Sequence, residues 1–240
     1  MGLVRYLAGL LFIIAVPVAL VTTTVRVLAN EPRVYEYAID EFNAPQTTGI
    51  ARAELLRASS ELRAYFNNDE DEIFIRVEKD GAPIRLFTDR ETIHLRDVKN
   101  LMTMAFRVQE AAVIFVLVYV VAVFIWAREG SLRVLAKQLL LSGLLSLAII
   151  GVVGVIAVTG FDQASDQFHR FAFDNDFWQL DPSRHHLIQM FPEAFWEDVS
   201  LLGGLAALVQ LGTLALLSAI YLGVTRRSAG PHDLASGGQP

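Results

Sequence analysis

The stretch that decides the fold is Ala111–Ala127, AAVIFVLVYVVAVFIWA, which contains no charged residue. A run of about 17 to 20 such residues crosses the ~30 Å hydrocarbon layer of a bilayer as a helix. Three further uncharged runs lie outward from it, Tyr6–Val25 before it and Leu139–Gly160 and Val199–Thr225 after it. Four spans therefore organise the 240 residues, of which 53% are hydrophobic and only 19% charged. The bilayer is the solvent for much of such a chain. The first run also admits a reading as a secretory signal peptide, because Arg5 precedes it and Val27-Leu28-Ala29 resembles a small-residue cleavage site. Its length exceeds the ~7–15 residues of a signal-peptide core, which favours a retained span. Tyr6 stands where a myristoylation motif needs Ser or Thr, so no lipid anchor is expected at Gly2.

Positive charges in the short flanks set the orientation. Arg5 precedes the first span, Arg128, Arg133 and Lys137 fill the turn between the second and third, and Arg226-Arg227 follow the fourth. All three flanks are expected to be cytoplasmic, with both termini inside. The chain then divides into a span 1–28, an outer cap 29–104, a span 105–128, a cytoplasmic loop 129–137, a span 138–160, an outer aromatic loop 161–198, a span 199–225 and a tail 226–240. The two outer segments hold nearly all the acidic residues, which points to chemistry on the extracytoplasmic face. The tail from Ser228, rich in Gly, Ser and Pro, is expected to be disordered, with His232 a solvated bystander.

The first outer segment is long enough to fold. Val34–Ile39 reads as a strand and Ala51–Phe66 has helical periodicity; Ile73–Val77 alternates and turns at Asp80-Gly81 towards Ile84–Phe87 as a hairpin. Thr88 with Glu91 has the form of a capping box, which predicts a helix starting near Asp89 and running through His94 into the second span. The second outer segment, broken at Pro182 and Pro192, reads as short helices and turns whose Phe168, Phe171, Phe173, Phe177, Trp178, Phe191, Phe195 and Trp196 suit the headgroup level. In the third span Ser142, Ser146, Gly151 and Gly154 offer faces where helices can approach closely. The expected fold is a mainly α membrane protein, four transmembrane helices with a small extracytoplasmic α+β cap.

Several chemistries are excluded. A net charge of −6 without clustered Lys and Arg argues against nucleic acid. The absence of cysteine removes disulfides, thiolate metal sites, a cysteine nucleophile and lipidation of the chain itself. No Gly-x-Ser-x-Gly elbow and no Gly-x-x-x-x-Gly-Lys loop occurs, so neither a serine hydrolase nor a nucleotide-driven route is supported.

Two of the five histidines occupy mirrored contexts: His94 precedes Asp97 by three residues, and His169 follows Asp166 by three. On a helix that spacing puts each pair on one face, where the carboxylate can fix the ring tautomer and leave the other nitrogen to move a proton. Two imidazoles and two carboxylates can equally hold a divalent metal ion, although no His-Glu-x-x-His is present. His185-His186 read as solvated loop histidines. Three readings stay open on the residues alone: histidine acid–base catalysis on a substrate that brings its own nucleophile, a metal-dependent membrane hydrolase, and a non-enzymatic scaffold whose cap binds a partner.

Ile93-His94-Leu95-Arg96-Asp97-Val98-Lys99-Asn100-Leu101 resembles the H-x-x-D-V-K signature of the Lit family. Phe168-His169-Arg170-Phe171-Ala172-Phe173, then Trp178, Asp181-Pro182 and Phe191-Pro192-Glu193-Ala194-Phe195, resemble that family's F-H…W…D-P…P-E-x-F signature. The resemblance implies a bacterial cytoplasmic-membrane acyltransferase, the lipoprotein intramolecular transacylase. Such an enzyme moves one acyl chain from the diacylglyceryl group to the α-amino group of a lipoprotein's N-terminal cysteine. It implies His94 and His169 as catalytic residues and a membrane lipoprotein with its acyl chains as partner, with no cofactor or nucleotide. Around the two histidines, Asp97, Asp166, Lys99 and Arg170 are the expected supporting residues. An α-amino group titrating near 7.7–8.0 needs a base, which His169 is expected to be; His94, or a neighbour such as Arg170, is expected to serve the oxyanion or the proton transfer.

Overall fold

A computed structural model describes residues 2–127 and 131–227. Arg128 and the tail Ser228–Pro240 with His232, on which expectations were placed, lie outside the described residues. The order of elements is α1 (Gly2–Asn30), α2 (Pro32–Glu41), α3 (Ala44–Thr48), α4 (Arg52–Tyr65), β1 (Arg76–Lys79), β2 (Ala82–Arg85), α5 (Asp89–Ala127), α6 (Ser131–Ala172), α7 (His186–Met190) and α8 (Glu193–Arg227). Helices α1, α5, α6 and α8 are each long and apolar enough to cross a membrane. Their outer faces leave Ile114, Leu117, Val152, Leu205 and Leu216 exposed, a girdle that lipid tails cover at no hydrophobic cost.

Inside the bundle the contacts are small or specific. Phe12 of α1 stacks on Tyr119 of α5 at 4.6 Å, and the Tyr119 hydroxyl accepts a hydrogen bond from Gln138 of α6 at 2.7 Å. Gly143 of α6 meets α8 so closely that a Cβ there would stand 2.7 Å from Ala215 Cβ and 3.0 Å from the Leu211 carbonyl oxygen. Ser142 and Ser146 are buried as expected, but among the described residues nothing lies within 4 Å of a Cβ built on Gly151 or Gly154, so those two glycines do not mark the approach. Polar ties join the helices near the cap: Arg26 donates to Gln109 at 2.8 Å and to Glu110 at 3.2 Å, and Gln210 donates to Thr24 at 3.2 Å.

The cap sits where α1 and α6 end and α5 and α8 begin. Helix α4 forms as read, and so does the hairpin turn, where Asp80 and Gly81 take φ values of 54° and 76° at the two central positions; its strands lie closer to the turn than Ile73–Val77 and Ile84–Phe87, at Arg76–Lys79 and Ala82–Arg85. Val34–Ile39 is helical, not a strand. Glu31 caps it by accepting from the Arg33 amide, Pro32 suits its first turn, and the helix buries Ala38 and Ile39 together; among the described residues the sheet consists of β1 and β2 alone and does not pair with this segment. The cap core, which includes Ile39, Leu55, Tyr65, Val77 and Leu86, is closed by Met190, Phe191 and Phe195 from the second outer segment. That segment forms the expected turns and short helix, α7, only between residues 173 and 192. Its first third continues α6 through Ala172, and Phe173, Phe191 and Phe195 are buried where headgroup anchors were expected, while Phe168, Phe171 and Trp196 remain exposed.

Candidate functional site

His94 owes its place to the start of α5. The Thr88 amide donates to Glu91 Oε2 at 2.7 Å and the Glu91 amide to Thr88 Oγ1 at 3.4 Å, the reciprocal capping box that begins the helix at Asp89. Glu91 is fully buried, and its second oxygen accepts from the Leu187 amide at 2.7 Å, so one carboxylate fastens both α5 and α7. The helix then runs unbroken to Ala127, which puts the expected cap boundary at 104/105 inside a single helix. All charged residues of α5 precede Ala111, so His94 belongs to the part that projects from the apolar run. His169 lies in the last turn of α6, beyond a break at Gly160 (φ −168°, ψ 50°) that re-aims the end of that helix.

The two rings come together with centroids 6.0 Å apart and planes at 40°. Phe173 meets His94 edge to face at 5.4 Å, and Trp178 stacks on His169 at 4.8 Å and 23°. His169 Nδ1 lies 2.7 Å from the Ser165 carbonyl oxygen. A carbonyl only accepts, so Nδ1 carries the proton, and in the neutral ring Nε2 is left with a free lone pair. His94 is buried, its Nδ1 without a hydrogen-bond partner among the described residues. Burial, aided by the neighbouring His169 and opposed by Asp97, pushes its pKa down to about 4, so the ring is neutral at pH 7. Glu193 of α8 faces this site as well; its carboxyl is held above the ordinary range by desolvation and then by the charge of Asp162.

The expected supporting residues divide. Asp97 accepts from Asn175 Nδ2 at 2.8 Å, and His94 Nδ1 remains unpartnered, so Asp97 does not orient His94 through that nitrogen. Asp166 accepts from Arg170 Nε at 2.8 Å, and Arg170 is largely exposed; its guanidinium is thus engaged along α6. The ring of His169 takes its orientation from the Ser165 carbonyl instead. Lys99 is buried away from the histidines, donating to Asn68 Oδ1 at 2.8 Å and the Glu70 carbonyl at 2.6 Å over the face of Tyr65. It pins the 67–72 loop of the cap, and burial lowers its pKa. Among the described residues no group of three or more His, Asp or Glu is placed to hold a metal ion, and the four donors of the metal reading do not converge.

His185 and His186 are half-buried and hydrogen-bonded rather than free in solvent. His185 Nδ1 accepts from the Asp181 amide at 2.7 Å, and His186 Nδ1 donates to the Leu86 carbonyl at 2.8 Å, a tie between the second outer segment and the end of the hairpin. The residues that single-chain reasoning passed over are Ser165, Asn175 and Arg90. Ser165 stands one turn before His169, a spacing that would have suggested the carbonyl contact; the other two carry no local signal.

Four apolar helices, with two histidines meeting where two of those helices emerge beside a small cap, define an integral membrane protein with a histidine-pair site. The chain belongs to the Lit family: the family model described as lipoprotein intramolecular transacylase Lit matches residues 10–196. A protein of Aquifex aeolicus described as uncharacterized is 27% identical over 219 residues, which cover 90% of this chain and 94% of that one. The crystal structure in meso of the membrane integral lipoprotein intramolecular transacylase Lit from Bacillus cereus is similar with a TM-score of 0.78 at 20% identity, covering 95% of this chain and 100% of that one. Structures of the same Bacillus cereus protein with one histidine replaced by alanine or by arginine are similar with TM-scores of 0.70, again at 20% identity. They cover 95% of this chain and 97% and 96% of those chains.

Proposed function

We propose that this protein transfers an acyl chain within a membrane lipoprotein, from the diacylglyceryl group on the N-terminal cysteine to the α-amino group of the same cysteine. The observation that carries the reading is the His94–His169 pair, two rings from separate helices brought within 6.0 Å of each other in a chain of the Lit family. The α-amino group in its neutral form attacks the ester carbonyl, and as the C–N bond forms His169, with Nε2 unprotonated, takes a proton from the attacking nitrogen; the tetrahedral intermediate then collapses with cleavage of the glycerol C–O bond. The same proton equivalent then returns to the departing glycerol oxygen, and the products are an N-acyl group and a free glycerol hydroxyl. His94, neutral through burial, donates an N–H to the oxyanion of the tetrahedral intermediate. Amine and ester belong to one molecule, so holding them in place substitutes for an acyl-enzyme, and no serine or cysteine nucleophile is required.

The charge distribution supports a multi-pass arrangement in a bacterial cytoplasmic membrane with both termini cytoplasmic and the histidine pair on the outer side: Arg5, Arg133, Lys137 and Arg226 all lie at the end of the bundle away from the cap. Transfer within one molecule leaves its mass unchanged, so the assay must distinguish ester from amide. Purified protein is incubated with a synthetic diacylglyceryl-cysteinyl peptide and the ester chains are then removed with mild base. The product keeps one acyl group and the starting peptide keeps none. Wild type should yield the retained acyl group, with His94→Ala and His169→Ala reduced by at least ~100-fold; full activity in both variants would overturn the assignment.

A further inference from the structure

The histidine pair is covered by a segment that neither charge nor hydropathy singles out. Residues 173–179, between α6 and α7, cross α5 and are pinned to it on both sides of His94. Four residues before His94, Arg90 donates Nε to the Gln179 carbonyl at 3.2 Å and Nη2 to the Asp176 carbonyl, with its guanidinium over the Phe177 ring. Three residues after it, Asp97 receives the Asn175 amide group at 2.8 Å, and Asn175 Oδ1 in turn accepts from the Phe177 amide at 3.0 Å. The spacing 90, 94, 97 puts both pins on the face of α5 that carries the histidine. The pinned segment delivers Trp178 flat against His169, 4.8 Å between centroids.

We propose that Trp178 is a positioning residue for His169, fixing the plane of the imidazole and stabilising the ring while it holds the substrate's proton. The reasoning is geometric. The Ser165 carbonyl fixes one ring nitrogen, and that single contact leaves the ring free to swing about the hydrogen bond. A stacked indole removes this freedom and keeps Nε2 aimed away from its own helix. The face of an indole carries negative charge density, so besides holding the neutral ring in place it attracts the imidazolium more strongly once the proton has arrived. Among the described residues, titratable groups beside His169 include His94 of α5 and Glu193 of α8, with Asp166 on its own helix occupied by Arg170. Asp97 and Arg90 then act on the site through the segment they pin.

This rests on the reading of His169 as base, and the test separates the two. In a Trp126→Phe, Trp196→Phe background Trp178 is the sole tryptophan, and an imidazolium stacked on it quenches its fluorescence. Acidifying the protein in micelles should dim the emission, and His169→Gln should abolish that change while His94→Gln preserves it. With the lipopeptide substrate, Trp178→Leu should lower kcat by about 2- to 30-fold at unchanged KM, the range of a cation–π contact, and Trp178→Phe, which keeps an aromatic face, should recover most of it. Emission that titrates identically with and without His169, or Trp178→Leu with wild-type kcat, overturns the proposal. A His169-dependent quench in a protein that transfers no acyl chain overturns the function and leaves the stacking contact established.

Discussion

Neutralising the special position of His94 has a calculable consequence for stability. The side chain is buried, its folded pKa is about 4, and an unfolded histidine titrates at 6.5. Between those values the unfolded chain binds a proton that the folded chain refuses, so stability is complete above pH 6.5 and declines as pH falls towards 4. The full difference corresponds to about 3 kcal/mol, or a drop in Tm on the order of 10 °C for a chain of this size. His94→Gln removes the titration while keeping a polar side chain of similar length. Carboxyls held low by their partners, Asp40 by Arg52, Glu54 by Arg57 and Asp181 by Ser183, titrate in both proteins and cancel in the comparison. Thermal unfolding in detergent at pH 7.5 and pH 4.5 should therefore show wild type losing far more stability than His94→Gln. Parallel losses in the two proteins would refute the claim that burial keeps this ring neutral, and with it the assignment of His94 as a neutral hydrogen-bond donor.

The remaining predictions test the supporting contacts. Gly143→Ala should destabilise the protein by about 1–3 kcal/mol in thermal unfolding, because the added Cβ meets Ala215 and the Leu211 carbonyl. Glu91→Ala strips the acceptor from the Thr88 and Leu187 amides and should cost about 1–3 kcal/mol or more by the same measurement, with Glu91→Gln milder. Asp97→Asn still accepts from Asn175 and should keep most transacylation, whereas Asp97→Leu should not; equal loss in both would return a direct electrostatic role to the carboxylate. Arg170→Ala removes an exposed ion pair of about 0–1 kcal/mol and should leave the rate within about 2-fold. A 100-fold fall would reinstate Arg170 as oxyanion donor.

The four spans and the start of α5 were legible because each rests on a local signal: uncharged length for the helices, and Thr88 with Glu91 for the cap of α5. The meeting of His94 and His169 was suggested by motif and topology together, since both lie at the same end of neighbouring spans. What the sequence hid was partnership. Val34–Ile39 alternates enough to read as a strand, and the Glu31-Pro32 start, with no pairing strand for it among the described residues, makes it a helix. The carboxylates three residues from each histidine looked like ring partners, yet Asp97 found Asn175, 78 residues away, and Asp166 found Arg170 on the adjacent turn. Phe191 and Phe195 looked like membrane anchors because hydropathy does not say whether an aromatic ring meets lipid or the core of the cap. Lys99 shares the motif with His94 but turns to the acidic loop behind it, a contact fixed by helical phase and the distant Tyr65.

His94 and His169 together are proposed to move an acyl chain from ester to amide on one lipoprotein. The most direct measurement is tandem mass spectrometry of the N-terminal peptide of an abundant lipoprotein, from a bacterium lacking other N-acylating enzymes and expressing wild type, His94→Ala or His169→Ala. Fragments bearing an N-acyl cysteine with a monoacylglyceryl thioether, from wild type alone and with all three proteins present in the membrane, are the predicted result. A peptide that keeps both acyl chains on glycerol and a free amine while wild type is present would contradict it.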